Sequence, residues 1–196
     1  LGIHNLVFKD KPFSSFKSVK TQKTLNQRQL VTLFYNTQDP VLSDKKIRQA
    51  LSYSIPDNFS QGLRNPAPFS ASSWANSEAG LYIQDVVRAK EVLSSSSASE
   101  SSSFKFVLKT LSQYKDTAII LKDSFKKIGI NVEIAEVQMV PDSFQMFLGD
   151  FNLSKDPDQY LLWHSDQNSN ITRYKNLRID KLLEDGRKII DINERK

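Results

Sequence analysis

The chain has 196 residues and a mass of 22.4 kDa, with 39% hydrophobic and 25% charged side chains, a balance that supports one sizeable folded core or two small ones. No apolar run approaches the roughly 20 residues that a membrane-spanning helix needs. The absence of cysteine excludes disulfides, thiolate metal sites and a cysteine nucleophile. Twenty-seven Lys and Arg against 22 Asp and Glu give a net charge of +5 and a pI near 9.3, a mild excess that does not by itself name a polyanionic partner.

The opening LGIHNLVFKD shows neither an initiator Met nor an export or lipidation signal, and the closing IIDINERK reads as an interrupted helix. The expectation is a piece of a longer chain. Residues 1–30 are read as an entry segment and 31–196 as the folded body. Val31–Asn36, rich in β-branched and aromatic side chains and stopped by Thr-Gln-Asp-Pro, predicts a strand. After Ser43 the positions Ile47, Ala50, Leu51 and Ser54 share one face of a helix that Pro56 stops, with Asp44 in its first turn. Residues 58–80, punctuated by Gly62, Pro66 and Pro68, predict a long irregular loop, and Asp85–Leu93 a second short helix. Ser94–Ser103, SSSSASESSS, has nothing to bury and predicts a disordered loop.

The clearest unit lies beyond it. Phe104–Leu108 alternates as a strand; Ala118, Leu121, Phe125 and Ile128 recur at helical spacing before Gly129, a residue suited to a left-handed C-cap; Asn131–Val137 alternates again. Strand, helix and strand make a βαβ unit with parallel strands. Pro141-Asp142 is expected to open a short helix running to Leu148 and ended by Gly149, with Phe151–Leu153 a short strand. Pro157–Trp163 and Ile179–Ile190 read as helices separated by the polar HSDQNSN. The fold class is α/β with a mixed sheet.

Catalytic and cofactor chemistry find little support. His4 and His164 are the two histidines, and there is no HExxH, GxSxG, Walker A or GxGxxG pattern, so no metal, cofactor or enzymatic role is expected. Asp156 and Asp158 flank a proline ahead of a helix and are read as structural caps rather than an acid–base pair. Arg48 is read as a structural fork onto carbonyls or a carboxylate, and Asp180 as a helix cap. Lysines at 9–24 and 122–127 raise a different class, a basic nucleic-acid-binding domain. The second cluster is interleaved with Asp116 and Asp123 as on any solvated helix, so no nucleic-acid partner is expected. Trp74, in a Ser/Ala/Asn-rich stretch, is a candidate ligand platform.

The segment LFYNTQDPVLSDKKIRQALSYSI at 33–55 resembles a signature of the extracytoplasmic solute-binding proteins that serve peptide and nickel ABC importers, through Asn36, Thr37, Pro40, Asp44, Arg48, Gln49, Ala50 and Leu51. The order downstream agrees, down to DPDQYLLWHSDQNSNITRYKN at 156–176 and Ile179–Leu183, so the resemblance covers residues 31 to 196. It implies a mixed-sheet second lobe of a two-lobed, type II-like periplasmic binding protein, acting outside the cytoplasmic membrane under a lipid anchor. Its implied partners are an ABC permease, the N-terminal lobe of the same chain and a small peptide or oligosaccharide. In peptide-specific relatives an Asp three positions before the acidic-Pro pair anchors the peptide's amino terminus. Here Leu153 stands at that place, so an ammonium there lacks a partner unless a carboxylate such as Asp150 reaches it, and an oligosaccharide becomes the alternative solute. By position, Asp150, Phe151, Asn152 and Leu153 are the expected cleft lining, with Trp74 and Asn36 as further candidates.

Overall fold

A computed structural model describes residues 29–59, 62–65, 67–69, 73–76, 82–96 and 104–195. The expected entry segment up to residue 28 and positions 97–103 of the serine-rich loop lie outside the described residues. Strand β1 runs over Gln29–Tyr35, followed by helix α1 at Lys45–Ser54, a two-stranded β2 (Asn58–Phe59) and β3 (Gly62–Leu63), and α2 at Val86–Ser94. Strand β4 (Phe104–Leu111), a 3₁₀ turn at Ser112–Tyr114, α3 (Lys115–Lys126) and β5 (Ile130–Val137) form the next unit. Strand β6 (Met146–Asn152), α4 (Tyr160–Trp163), α5 (Leu177–Lys188) and α6 (Ile192–Arg195) complete the order.

Four strands make one mixed sheet in the order β1-β6-β4-β5. The βαβ expectation holds: β4 and β5 pair in parallel from Phe104↔Ile130 to Leu111↔Val137, with α3 between them. On the other side of β4, β6 runs parallel to it (Leu108↔Met146), and β1 closes the edge antiparallel to β6, from Gln29↔Asn152 to Tyr35↔Met146. One face carries the core. Phe106, Leu108, Ile130, Val132, Met146 and Leu148 meet Ile47, Ala50 and Leu51 of α1, Ala89 and Leu93 of α2, and Ala118, Leu121 and Phe125 of α3. Because strand side chains alternate in direction, the neighbouring residues Phe34, Phe147 and Phe151 occupy the opposite face. There Phe34 and Phe147 stack at 6.0 Å and Phe144 adds its ring at 5.8 Å from Phe147.

Local signals explain most boundaries. Asp44, not Ser43, is the N-cap of α1, its carboxylate accepting from Lys46 N at 2.7 Å. Asp85 caps α2 in the same way through Arg88 N at 2.9 Å. Gly129, at φ +86°, takes the left-handed conformation after α3 that a residue with a Cβ adopts only under strain.

Three expectations are corrected. The helix expected from Pro141 to Leu148 is absent: Met146–Asn152 is a strand with Gly149 in its interior. Phe144, Phe147 and Leu148 mimic helical spacing, but pairing on both sides with β1 and β4 outweighs it. The Pro157–Trp163 helix shrinks to Tyr160–Trp163. Asp156 and Asp158 instead fold the approach into consecutive side-chain turns, accepting from Asp158 N and Tyr160 N at 3.0 Å each. Helix α5 starts two residues earlier than expected. Its N-cap is Asn176, which accepts from Arg178 N and Ile179 N, whereas Asp180 turns away and accepts from Ser165 N at 2.9 Å.

Candidate functional site

In a sheet with parallel strands, ligands gather beyond the carboxyl ends, where adjacent strands send the chain in different directions. That place here is the gap between β4 and β6. Strand β4 leaves into the 3₁₀ turn and α3, while β6 continues past the last residue β4 pairs with it and leaves toward 153–159. The overhanging end of β6 contains Asp150, Phe151 and Asn152, with Leu153 next, so the structure brings these four candidates to one rim.

Asp150 shares a side of its strand with Leu148 but lies beyond the core, half-buried. Its Oδ2 accepts from Gln29 Nε2 of β1 at 2.5 Å and its Oδ1 from Gln113 Nε2 of the 3₁₀ turn at 3.5 Å. Tyr114 lies beneath. Burial pushes the pKa of its hydroxyl up, the Gln113 side chain lowers it and the nearby Asp150 carboxylate raises it again. Phe151 points to the other face, 6.2 Å from Phe34 ring to ring, and Asn152 is exposed opposite Gln29. Two cavities of about 330 and 550 Å³ are lined by other residues, the first between β1, α1 and Trp163, the second between Gln38, 140–144 and 165–175.

Trp74 and Asn36 are not at this rim's hydrogen-bond network. Trp74 receives the Arg195 guanidinium 5.7 Å over its ring, and the same guanidinium forks onto Asp156 at 2.8 and 3.0 Å. This contact holds the Asp156 carboxyl below its usual range. Asn36 is engaged with backbone at both ends of its amide, donating to the Phe144 carbonyl at 3.0 Å and accepting from Gln38 N at 3.0 Å. Arg48 Nη1 donates to the carbonyls of Leu42 and Ser43 at 2.6 and 2.8 Å. Asp158 pairs with Arg187 Nε at 3.1 Å, and that guanidinium covers the Tyr160 ring at 4.4 Å. The DPDQY segment therefore ties α5, α6 and the 67–76 stretch together, Gln159 adding a bond from its Nε2 to the Pro68 carbonyl at 2.8 Å.

Sequence reasoning did not single out Gln29, Gln113 or Tyr114. A glutamine after one strand and another at the head of a second carry no local pattern, and it takes the β1–β6 and β4–β6 pairings to bring Gln29 and Gln113 to Asp150. Nor did it find Asn170, buried, whose Nδ2 donates to the Tyr174 carbonyl at 2.8 Å and whose Oδ1 accepts from Thr172 Oγ1 at 2.7 Å. Among the described residues no cluster of three His, Asp or Glu could hold a metal ion, and no helix is long and apolar enough to cross a membrane.

Residues 8–173 match the family model described as bacterial extracellular solute-binding proteins, family 5 Middle. The oligopeptide-binding protein AppA of Bacillus subtilis is 28% identical over an alignment of 215 positions, covering 88% of this chain and 40% of that protein. Its structure in complex with a nonapeptide superposes with a TM-score of 0.76 at 28% identity, over 86% of this chain and 40% of that one. DppA of Helicobacter pylori in complex with the peptide STSA (24% identity, TM-score 0.72, 86% and 37% coverage) shares the fold. So does NikZ of Campylobacter jejuni in complex with Ni(L-His) (22%, 0.72, 85% and 40%). The chain spans about 40% of the length of these relatives.

Proposed function

The chain belongs to the bacterial extracellular solute-binding proteins of family 5, and from that premise we propose that it forms one lobe of the substrate-binding component of an ABC importer, capturing an oligopeptide-like solute outside the cytoplasmic membrane. The observation that carries this reading is the likeness to AppA, at 28% identity over nearly the whole chain, in a structure that holds a nonapeptide. The rim geometry supports it. Residues 150–153 offer a strand end, a carboxylate, an amide and a partly exposed aromatic ring on one rim, as expected of one wall of a cleft that a second lobe shuts. No catalytic step is part of this reading: the protein binds, closes and hands its solute to a permease.

The test is calorimetry on the full-length protein with a set of oligopeptides and a set of oligosaccharides. Saturable peptide binding by the full-length protein, with binding at least ~100-fold weaker by residues 1–196 alone, is the expected outcome, because half of the contacts would be missing from the single lobe. Binding of the glycans with indifference to peptides would replace the solute class. Indifference to both overturns the proposal.

A further inference from the structure

The cavity of about 330 Å³ between β1, α1 and Trp163 is built differently from the rim and shares none of residues 150–153. Its size suits a small organic molecule. Three aromatic side chains wall it, and each has its polar end engaged with the protein. Trp163 Nε1 donates to Gln159 Oε1 at 2.7 Å, the Tyr82 hydroxyl accepts from Gln49 Nε2 at 3.2 Å, and the Tyr174 hydroxyl accepts from Asn176 Nδ2 at 3.2 Å. What they leave for an occupant is ring surface.

Tyr35 is the exception among the rings. Its hydroxyl is sealed from solvent and has no hydrogen-bond partner, a state that costs free energy. Ser52 and Arg48, which line the cavity, lie close enough to act on that hydroxyl, so the orphan group stands at the cavity wall. Burial pushes its pKa up, which keeps the proton on the oxygen and the hydroxyl a donor. The charged residues lining the cavity are Lys45 and Arg48, both cations, and neither joins any of the seven ion pairs of the described residues. Bonds from Arg48 Nη1 to the Leu42 and Ser43 carbonyls fix the guanidinium without neutralising it.

A neutral molecule would satisfy the hydroxyl and leave both charges uncompensated, and a cationic one would be repelled. An anion with a flat apolar body answers the donor, the charges and the rings together. We propose that this cavity is a second ligand site, which takes a small aromatic carboxylate: the carboxylate receives the Tyr35 hydroxyl in the field of Lys45 and Arg48, and the ring packs among Trp163, Tyr82 and Tyr174. The site is separate from the rim and independent of the solute captured there.

The experiment is calorimetry on the full-length protein with three probes of nearly one shape: phenylacetate, the neutral 2-phenylacetamide and the cationic 2-phenylethylamine. Phenylacetate should bind about tenfold more tightly than the amide, as a single charge-assisted hydrogen bond provides. The amine should bind more weakly than either, and the advantage of the acid should shrink as salt rises. Tyr35→Phe should lower phenylacetate affinity about tenfold. The unfolding midpoint of that variant should stay level or rise, because the oxygen it removes has no partner in the protein. Lys45→Gln, at an exposed position, should lower the affinity about threefold, and it decides the matter should Tyr35→Phe fail to fold. Failure of phenylacetate to bind, equal affinity for acid and amide, or a phenylacetate affinity unchanged by Tyr35→Phe overturns the proposal. Peptide capture stands or falls by its own titration, whichever of these is found.

Discussion

The Phe147 ring lies across the face of Gly149, its neighbour two positions along β6, so closely that a Cβ on Gly149 would stand 2.6 Å from ring atoms Cε1 and Cζ. The ring is 1% exposed and wedged between Phe34 and Phe144, which leaves it nowhere to swing. Gly149→Ala should therefore destabilise the fold by about 1–3 kcal/mol, as overpacking does. A urea midpoint unchanged from wild type would show that the ring relocates freely.

Asn170 joins the loop after α4 to the approach of α5 through bonds to the Tyr174 carbonyl and the Thr172 hydroxyl, and Thr172 in turn accepts from Thr37 N at 2.9 Å beside the end of β1. Asn170→Ala leaves buried polar atoms without partners and should cost about 2 kcal/mol. Asn170→Asp, which turns a donor toward carbonyl oxygens into an anion, should cost more than the alanine variant. Equilibrium unfolding of the pair checks the ordering.

Arg195 and Asp156 give a pH-dependent contribution whose sign follows from the lowered carboxyl pKa. The folded-state value lies below the unfolded one, so the stabilisation is fully present above the unfolded carboxylate value near 3.9 and disappears as pH falls through the folded value. Asp156 is largely exposed, so Arg195→Gln should cost less than about 1 kcal/mol at neutral pH. That difference should shrink on acidification to about pH 3. Unfolding midpoints of both proteins at the two pH values test it.

Helix α1 distinguishes two adjacent cap candidates. Asp44→Ala should remove about 1 kcal/mol because its carboxylate accepts from Lys46 N, while Ser43→Ala should stay within about 0.5 kcal/mol. Equal losses for the two variants would assign the cap wrongly.

The periodic stretches of this chain announce themselves. Ile47, Ala50, Leu51 and Ser54 fall on the buried face of α1, and Ala118, Leu121 and Phe125 on that of α3. Both helices follow from spacing alone, as does the strand on either side of α3. Strand β6 does not, because Phe144, Phe147 and Leu148 satisfy a helical period locally and only two long-range partners decide otherwise. The rim reads similarly. Asp150–Leu153 could be placed there from resemblance, but Gln29 and Gln113 reach Asp150 from 121 and 37 positions away, and no local pattern encodes such distances.

The pairing of β1 with β6 also governs when the sheet can assemble. The parallel pairing of β4 with β5 joins residues within 104–137, close together in the chain. The first strand must wait. A ribosome making this stretch extrudes Leu33 and Phe34 more than a hundred residues before Leu148 and Phe147 emerge to meet them, at a pace of roughly 5–20 residues per second. For those seconds an apolar ribbon has no neighbour, which marks Val31–Tyr35 as the place where a chaperone would grip the nascent chain or where two unfinished copies would stick together.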